Sequence, residues 1–531
     1  MHISVLLLSA FSFVVSVAAK EKIVVCYYGT WATYRSGLGK FDVSNINIDL
    51  CTHLIYTFVG INAQGSVISL DPYLDLPDNW GRDNFGKFTA LKQQNPNIKT
   101  ILAVGGWNEG SAKYSTMAAS PTLRKNFITT ALNMVRQYGF DGFDIDWEYP
   151  SRRDSVNGQA DINNFSQLLK ELREEFDKYG LLMSVAVSSV KDTASLSYDI
   201  PTIVQYVDLV NIMTYDMYGA WDAVTGHNSP LHKGEGDENV AKDDIYSVDV
   251  ALAYWLGQGC PPEKLVLGLP LYGRTFTLTN ANNNGVRAPS SGAGIAGPYT
   301  QTNGVIGYNE FCQKLRKEVW EVRYDNLAKV PYAVQGQNWI SYDDADSLVA
   351  KVEYALQYDI AGFMVWSIET DDFHGNCDSE DFPLLRAINR AIGRSTTSTT
   401  TSTLPPTPTT ATTTPVITTP TGATESTTSV GTTENTTPVG TPAGTTPIGT
   451  TASSTSTSTS ASTTTATPED STICKEEGFH KNVNDCTSFY ICVRGLYGDL
   501  EPKLLQCPSN LYWDHSLQIC NYPNLVECNV S

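Results

Sequence analysis

The run Phe140-Asp-Gly-Phe-Asp-Ile-Asp-Trp-Glu-Tyr-Pro150 places three carboxyl groups, Asp144, Asp146 and Glu148, at alternate positions. On a β-strand, that spacing turns all three to one face. Phe143, Ile145 and Trp147 then face the other way. Three charges in a row inside a core are costly. Repulsion and desolvation raise at least one pKa, which leaves a protonated acid near neutral pH. That is the equipment of general acid catalysis, and Glu148, nearest the end of the strand, is the natural proton donor. Asp146 can share a proton with Asp144 or turn towards Glu148. A calcium loop would need D-x-D-x-D-G, but no Gly follows and the intervening residues are Ile and Trp. An acidic surface edge would not be interleaved with large apolar side chains.

Such a strand needs a scaffold. Eight apolar runs punctuate residues 20–394: IVVCYY, LIYTFVGI, TILAVGGW, GFDIDWE, LLMSVAV, VDLVNIMTYD, LVLGLPLYG and GFMVWSIE. Most are near-continuous, as parallel strands covered on both faces require. Helical patterns lie between them. Ser120-Pro121 caps one, Leu123, Phe127, Ala131, Met134 and Val135 form its stripe, and Gly139 ends it. Phe165, Leu168, Leu169, Leu172 and Phe176 mark another, which stops before Gly180. Eightfold strand–helix alternation predicts an α/β fold of the TIM (β/α)8 barrel type. A doubly wound open sheet is the alternative, but no GxGxxG follows the first strand. The stretch 274–361 is too long for one helix. We expect an inserted α+β subdomain over about 275–345, standing beside the barrel mouth and deepening it into a groove.

A tryptophan is more often core than ligand-binding, and its place along a strand separates the two readings. Trp31, Trp107 and Trp366 each end or follow a strand, whereas Trp147, Trp255, Trp320 and Trp339 read as core. The Gly105-Gly106 pair alone is a weak signal, and a phosphate cradle would need a Lys partner.

The whole chain has 531 residues, with 36 Lys+Arg against 56 Asp+Glu and a net charge of −20. That balance argues against nucleic acid and is compatible with a neutral partner. Residues 1–19 carry an apolar run followed by Ala18 and Ala19, which reads as a signal peptide rather than a buried element. No later run reaches membrane-spanning length, so no membrane association is expected. Residues 395–468 hold 34 Thr, 11 Ser and 9 Pro, with Glu425 and Glu434 as the only charges. Such a segment cannot bury enough apolar surface to order itself, and it reads as an O-glycosylated linker or a bare spacer. Beyond it, residues 469–531 contain six of the eleven cysteines in the pattern C-x11-C-x5-C-x14-C-x12-C-x7-C. A secreted domain this small needs disulfide staples, and spacing alone leaves 15 pairings open. No C-x2-C pair suggests zinc, and no metal or cofactor is expected.

FDGFDIDWEYP resembles the signature of family 18 glycoside hydrolases, the chitinases and chitinase-like lectins. VVCYYGTW, LAVGGWNEG, MTYD, GLPLYGR and GFMVWSIETDD resemble other barrel-strand motifs of that family, and the inserted subdomain is similar to that of its deep-grooved members. This resemblance implies substrate-assisted retaining hydrolysis of chitin, in which the substrate's own acetamido oxygen attacks the anomeric carbon. It implies Glu148 as acid and then base, Asp146 as partner of the acetamido N–H, and Asp144 as keeper of the shared proton. Tyr215 would bond the acetamido carbonyl and Asp216 the distorted sugar. Trp366 would form the floor with Met213 nearby. Tyr27, Trp31, Asn79, Trp80, Gly105, Gly106, Trp107, Asn108, Tyr149, Tyr272 and Arg274 would line the groove.

The tail is similar to peritrophin-A type chitin-binding domains, on its cysteine spacing and on SFYICV and CPSNLYWD. The likeness implies pairs Cys474–Cys492, Cys486–Cys528 and Cys507–Cys520. It also implies an exposed sugar-stacking surface of Trp513 with Tyr490 or Tyr497, whereas Phe489 is expected in the small core. Within the barrel, resemblance pairs Cys26 with Cys51 and Cys312 with Cys377, leaving Cys260 free. Asn164 and Asn435 stand in glycosylation sequons. The expectation is a secreted, monomeric, endo-acting chitinase acting on chitin and chitooligosaccharides. A chitinase-like lectin is disfavoured because Glu148, the acid such relatives lose, is present. An endo-β-N-acetylglucosaminidase of the same fold is the other alternative.

Overall fold

A computed structural model describes residues 21–241, 244–395, 478–494, 500–507, 512–515, 519–521, 523, 526 and 528. The N-terminal run, linker residues 396–468, Cys474 and Tyr497 lie outside the described residues. The chain divides into two units.

In the first unit, every expected barrel run is a strand. They are β1 (Ile23–Gly29), β2 (His53–Ile61), β4 (Lys99–Gly105), β5 (Gly142–Asp146), β6 (Leu182–Ser188), β7 (Leu209–Met213), β8 (Leu265–Pro270) and β15 (Gly362–Trp366). A short strand β3 (Val67–Ser69) pairs antiparallel with β2. The other eight pair in parallel in the order β1-β15-β8-β7-β6-β5-β4-β2, and β1 also pairs with β2, closing the barrel. The doubly wound alternative is excluded, because an open sheet has two free edges and the eight parallel strands have none.

The strands alternate between two cores. Val25, Tyr27, Ile55, Ile101, Ala103, Val266 and Met364 fill the interior. Val24, Cys26, Tyr28, Phe143, Ile145 and Trp147 face the helices instead. Those helices form where the sequence punctuates them. Pro121–Tyr138 starts from Ser120, whose side chain accepts from the Leu123 N–H, and ends at Gly139 in the left-handed region. Ala160–Phe176 buries Phe165, Leu168, Leu169, Leu172 and Phe176. Burying such a stripe contributes roughly 1.5–3 kcal/mol per large side chain.

Between β8 and β15 stands a second sheet. Strands β9 (Tyr272–Leu278), β10 (Ser290–Ala293), β11 (Val305–Gly307), β12 (Glu321–Asp325), β13 (Val330–Gln335) and β14 (Asn338–Ser341) form it, in the order β10-β9-β14-β13-β12 with β11 on β9. It is antiparallel throughout and carries one helix, Tyr308–Lys317. Trp339 is fully buried in it, as Trp147 and Trp255 are in the barrel. Disulfides join Cys26 to Cys51 and Cys312 to Cys377, and Cys260 is a buried free thiol. Among the described residues, no helix is long and apolar enough to cross a membrane.

In the second unit, β16 (Gly478–Lys481), β17 (Ser488–Arg494) and β18 (Leu500–Gln506) form an antiparallel sheet. Strands β19 (Tyr512–Asp514) and β20 (Ile519–Asn521) form a two-stranded one. Cys486 is bonded to Cys528, and Cys492 and Cys507 are also disulfide-bonded. Trp513 departs from expectation. It is 5% exposed and stacks on Phe489, ring centroids 3.8 Å apart, with Phe479 against it. A domain of this size has few large side chains, so its one tryptophan serves as core. Tyr490 is half-buried.

Candidate active site

The carboxyl row lies at the end of β5, where the period-two argument put it. Asp144 and Asp146 are buried, and Glu148 is half-buried beyond the strand's last pair. The register sets Ala103 opposite Asp144 and Gly105 opposite Asp146. The glycine pair now has a reason. A Cβ on Gly105 would meet the Asp146 carbonyl oxygen at 2.1 Å, and one on Gly106 would meet the Phe58 ring at 2.6 Å. The Gly106 N–H then donates to the Asp146 carbonyl, 2.8 Å away.

Asp144 is held by neutral donors. The Ser184 hydroxyl reaches Oδ1 at 2.5 Å, the Tyr27 hydroxyl reaches Oδ2 at 3.0 Å, and Asn211 bonds both the Tyr27 oxygen and Oδ1. Burial pushes its pKa up to about 6, against these three hydrogen bonds. Asp146 has no such support. Its Oδ1 has no hydrogen-bond partner among the described residues. Burial, and then the charges of Glu148 and Asp144, raise its pKa well above the carboxylate range. Burial also lifts Glu148, to about 7, opposed by a hydrogen bond with Tyr149 and by Arg153, and aided by Asp216. A protonated acid therefore sits at the mouth near neutral pH.

A cleft of about 840 Å³ opens beside the row, lined by Gly105, the residue opposite Asp146, though by none of the three carboxyls themselves. Trp31, Phe58 and Trp366 line its floor, with Phe58 stacked on both tryptophans at 6.3 and 5.8 Å. Gly105, Trp107, Asn108, Asp216, Tyr272 and Arg274 line it too. The inserted subdomain contributes one wall, through Tyr272, Arg274, Tyr299, Thr300, Gln301, Thr302 and Val305. Asp216 is fixed by Arg274, at 2.6 Å, and by the Tyr272 hydroxyl, while its own N–H donates to Asn228. The Tyr215 hydroxyl reaches the Met364 sulfur at 3.7 Å. Met213 and Tyr149 are half-buried near the row.

Five expected groove residues lie off the cleft lining: Gly106 and Tyr149, which adjoin lining residues or the row, and Tyr27, Asn79 and Trp80. Tyr27 is 1% exposed and lies beneath the cleft, where its hydroxyl supports Asp144 rather than facing a ligand. Asn79 and Trp80 occupy a turn outside the cleft lining, and Trp80 is 97% exposed. The residues that do line that side are Leu70, Asp71, Leu74 and Asp75, because the chain turns back after β3. Other site residues escaped the sequence reading. Ser184 and Asn211 had a signal: each is a polar residue inside an apolar strand run. Tyr34, whose hydroxyl bonds Asp71, and Trp221, 61% exposed with the Arg274 guanidinium 4.9 Å from its ring, lie on loops without periodicity.

Comparison with known proteins agrees with this geometry. Residues 474–528 match the Chitin binding Peritrophin-A domain. The crystal structure of the Ostrinia furnacalis Group IV chitinase is similar at 59% identity, covering 70% of this chain and 100% of that one, with a TM-score of 0.69. Probable chitinase 2 of Drosophila melanogaster is 43% identical over 411 residues, 71% of this chain and 82% of the relative. The Manduca sexta endochitinase is 36% identical over 382 residues, 70% and 68% respectively. Residues 23–371 match Glycosyl hydrolases family 18, and with the buried carboxyl row at the mouth of a closed barrel the chain belongs to that family of chitinases.

Proposed function

We propose that this protein is a secreted endochitinase that cleaves β-1,4 linkages between N-acetylglucosamine units by substrate-assisted retaining catalysis. The observation that carries the reading is the unequal support of the three carboxyls. Asp144 is satisfied, Asp146 is left with a buried oxygen that has no partner among the described residues, and Glu148 is raised to about 7. In the proposed reaction Glu148 protonates the leaving glycosidic oxygen. The substrate's acetamido oxygen attacks the anomeric carbon, and its N–H supplies the partner that Asp146 lacks. Tyr215 steadies the acetamido carbonyl, and the proton shared between Asp146 and Asp144 follows the charge. Water then adds with Glu148 as base, returning the β configuration. Trp366, Phe58 and Trp31 bind the apolar sugar faces. Endo action is supported by the volume and aromatic lining of the cleft and by the likeness to the Manduca enzyme. Secretion is supported by the N-terminal run and by disulfides in both units.

Glu148→Gln in the full chain tests the reading. Release of oligosaccharides from colloidal chitin is expected to vanish, and proton NMR of the wild-type products is expected to show β anomers first. Activity surviving in the variant would refute the mechanism. Preference for a glycoprotein substrate over chitin would move the assignment to N-glycan cores. Deleting residues 469–531 is expected to weaken binding to insoluble chitin and to spare hydrolysis of soluble oligomers.

A further inference from the structure

Arg153 lies in the loop between β5 and the helix Ala160–Phe176, with its backbone in the left-handed region at φ 56°. Its Nη1 donates to two main-chain carbonyls, that of Trp107 at 2.9 Å and that of Glu148 at 3.2 Å. These two residues follow different barrel strands, β4 and β5. The guanidinium carbon also lies 3.7 Å from the centre of the Trp107 ring. Trp107 is 57% exposed, and among the described residues no other aromatic ring stacks on it. The loop itself is pinned in place. Asp154 accepts from the N–H groups of Ser111 and Ala112, and Asp161 accepts from the hydroxyls of Ser115 and Ser155.

We infer that Arg153 is a positioning residue for the hydrolysis: it ties the ends of β4 and β5 together and holds the Trp107 indole by one face. The other face is left free to stack on a sugar ring. Arginine suits the task because its planar fork can bridge two acceptors and stack on a ring together, which an ammonium cannot do. The inference rests on the proposed acid role of Glu148 and adds a second consequence to it. The charged and titratable groups around Glu148 are Asp146 and Asp144 on the strand before it, Asp216 with its partner Arg274, and the hydroxyls of Tyr149, Tyr198 and Tyr215. Within this acidic setting Arg153 favours the ionised form of Glu148 and keeps its pKa from rising further.

The test is the pH dependence of kcat/KM on a soluble chitooligosaccharide, measured with the full chain and its Arg153→Gln and Arg153→Lys variants. Arg153→Gln is expected to move the alkaline limb up by roughly half a pH unit, a small shift because the charge is exposed and screened. It is also expected to raise KM by about 5-fold, through the released indole. Arg153→Lys keeps the charge, so its limb stays with the wild type while KM rises as in the Gln variant. A limb unmoved in Arg153→Gln, or an unchanged KM in both variants, overturns the inference, even if the melting temperature falls. Loss of all activity in Glu148→Gln beside an unmoved limb refutes only the role of Arg153. Activity retained in Glu148→Gln refutes the reading beneath it.

Discussion

Asp146 and Asp325 are both buried aspartates, and their surroundings are opposites. Asp325 lies in the inserted subdomain, where His227 bonds Oδ2 at 3.0 Å and the N–H groups of Glu235, Leu327 and Ala328 bond the two oxygens. Burial pushes its pKa up, but these partners outweigh it and hold the value at about 2. Asp146 is equally enclosed, has two carboxyl neighbours, and keeps one oxygen unpaired among the described residues. The first arrangement contributes stability and the second costs it. A buried acid without partners persists only where something else retains it, which in an enzyme is the reaction.

The two sites consequently pull stability in opposite directions with pH. Asp325 titrates below its unfolded value, so its contribution is present above pH 4 and is lost as pH falls through about 2. Asp144, Asp146 and Glu148 titrate above theirs. The folded state holds their protons more tightly, so stability declines as pH rises from about 4 through 6 and 7.

Removing the charge of Asp146 tests the contrast most strongly. Asp146→Asn is expected to lower kcat about 100- to 1,000-fold. The same change is expected to stabilise the fold by ~1 kcal/mol at pH 8 and by nothing at pH 4, read from thermal melts at each pH. A variant less stable than wild type at pH 8 would break the comparison. Next in size is the pH profile itself. With Glu148 raised to about 7, kcat/KM is expected to fall tenfold per unit above that pH, and a limb near 5 would show that the acid is not raised. Asp325→Asn is the mirror experiment. It is expected to cost about 2–4 kcal/mol in urea denaturation while the folded enzyme keeps its kcat. The smallest effect is expected beside Arg274: Trp221→Ala raises KM for long soluble oligomers ~5-fold and leaves stability unchanged.

The barrel was legible in the chain because parallel strands covered on both faces must read as apolar runs, and all eight runs became strands. The carboxyl row was legible for a related reason, since alternation on a strand is a local property and Phe143, Ile145 and Trp147 fixed which face was which. The glycine pair was visible without its cause, because the contacts that demand it, to the Asp146 carbonyl and the Phe58 ring, come from other strands. Loop residues were the weak point. Trp80 and Trp221 are both exposed tryptophans in connecting segments, and nothing local distinguishes them. Both lie outside the cleft lining, and only the path of its loop puts Trp221 against Arg274, which does line it. Trp513 misled for a similar reason, since its exposure depends on what a small disulfide-bonded domain has available to fill its centre.

Sequence alone therefore determined the strand count, the carboxyl column and the chemistry such a column can perform, because residue type and period two are properties of consecutive positions. Tertiary structure decided which carboxyl is supported and which is not. Asp144 and Asp146 are the same residue two positions apart, and their difference comes from Tyr27, Ser184 and Asn211 on three other strands. Closing the barrel brings those donors to one aspartate and withholds them from the other, and no reading along the chain measures that distance.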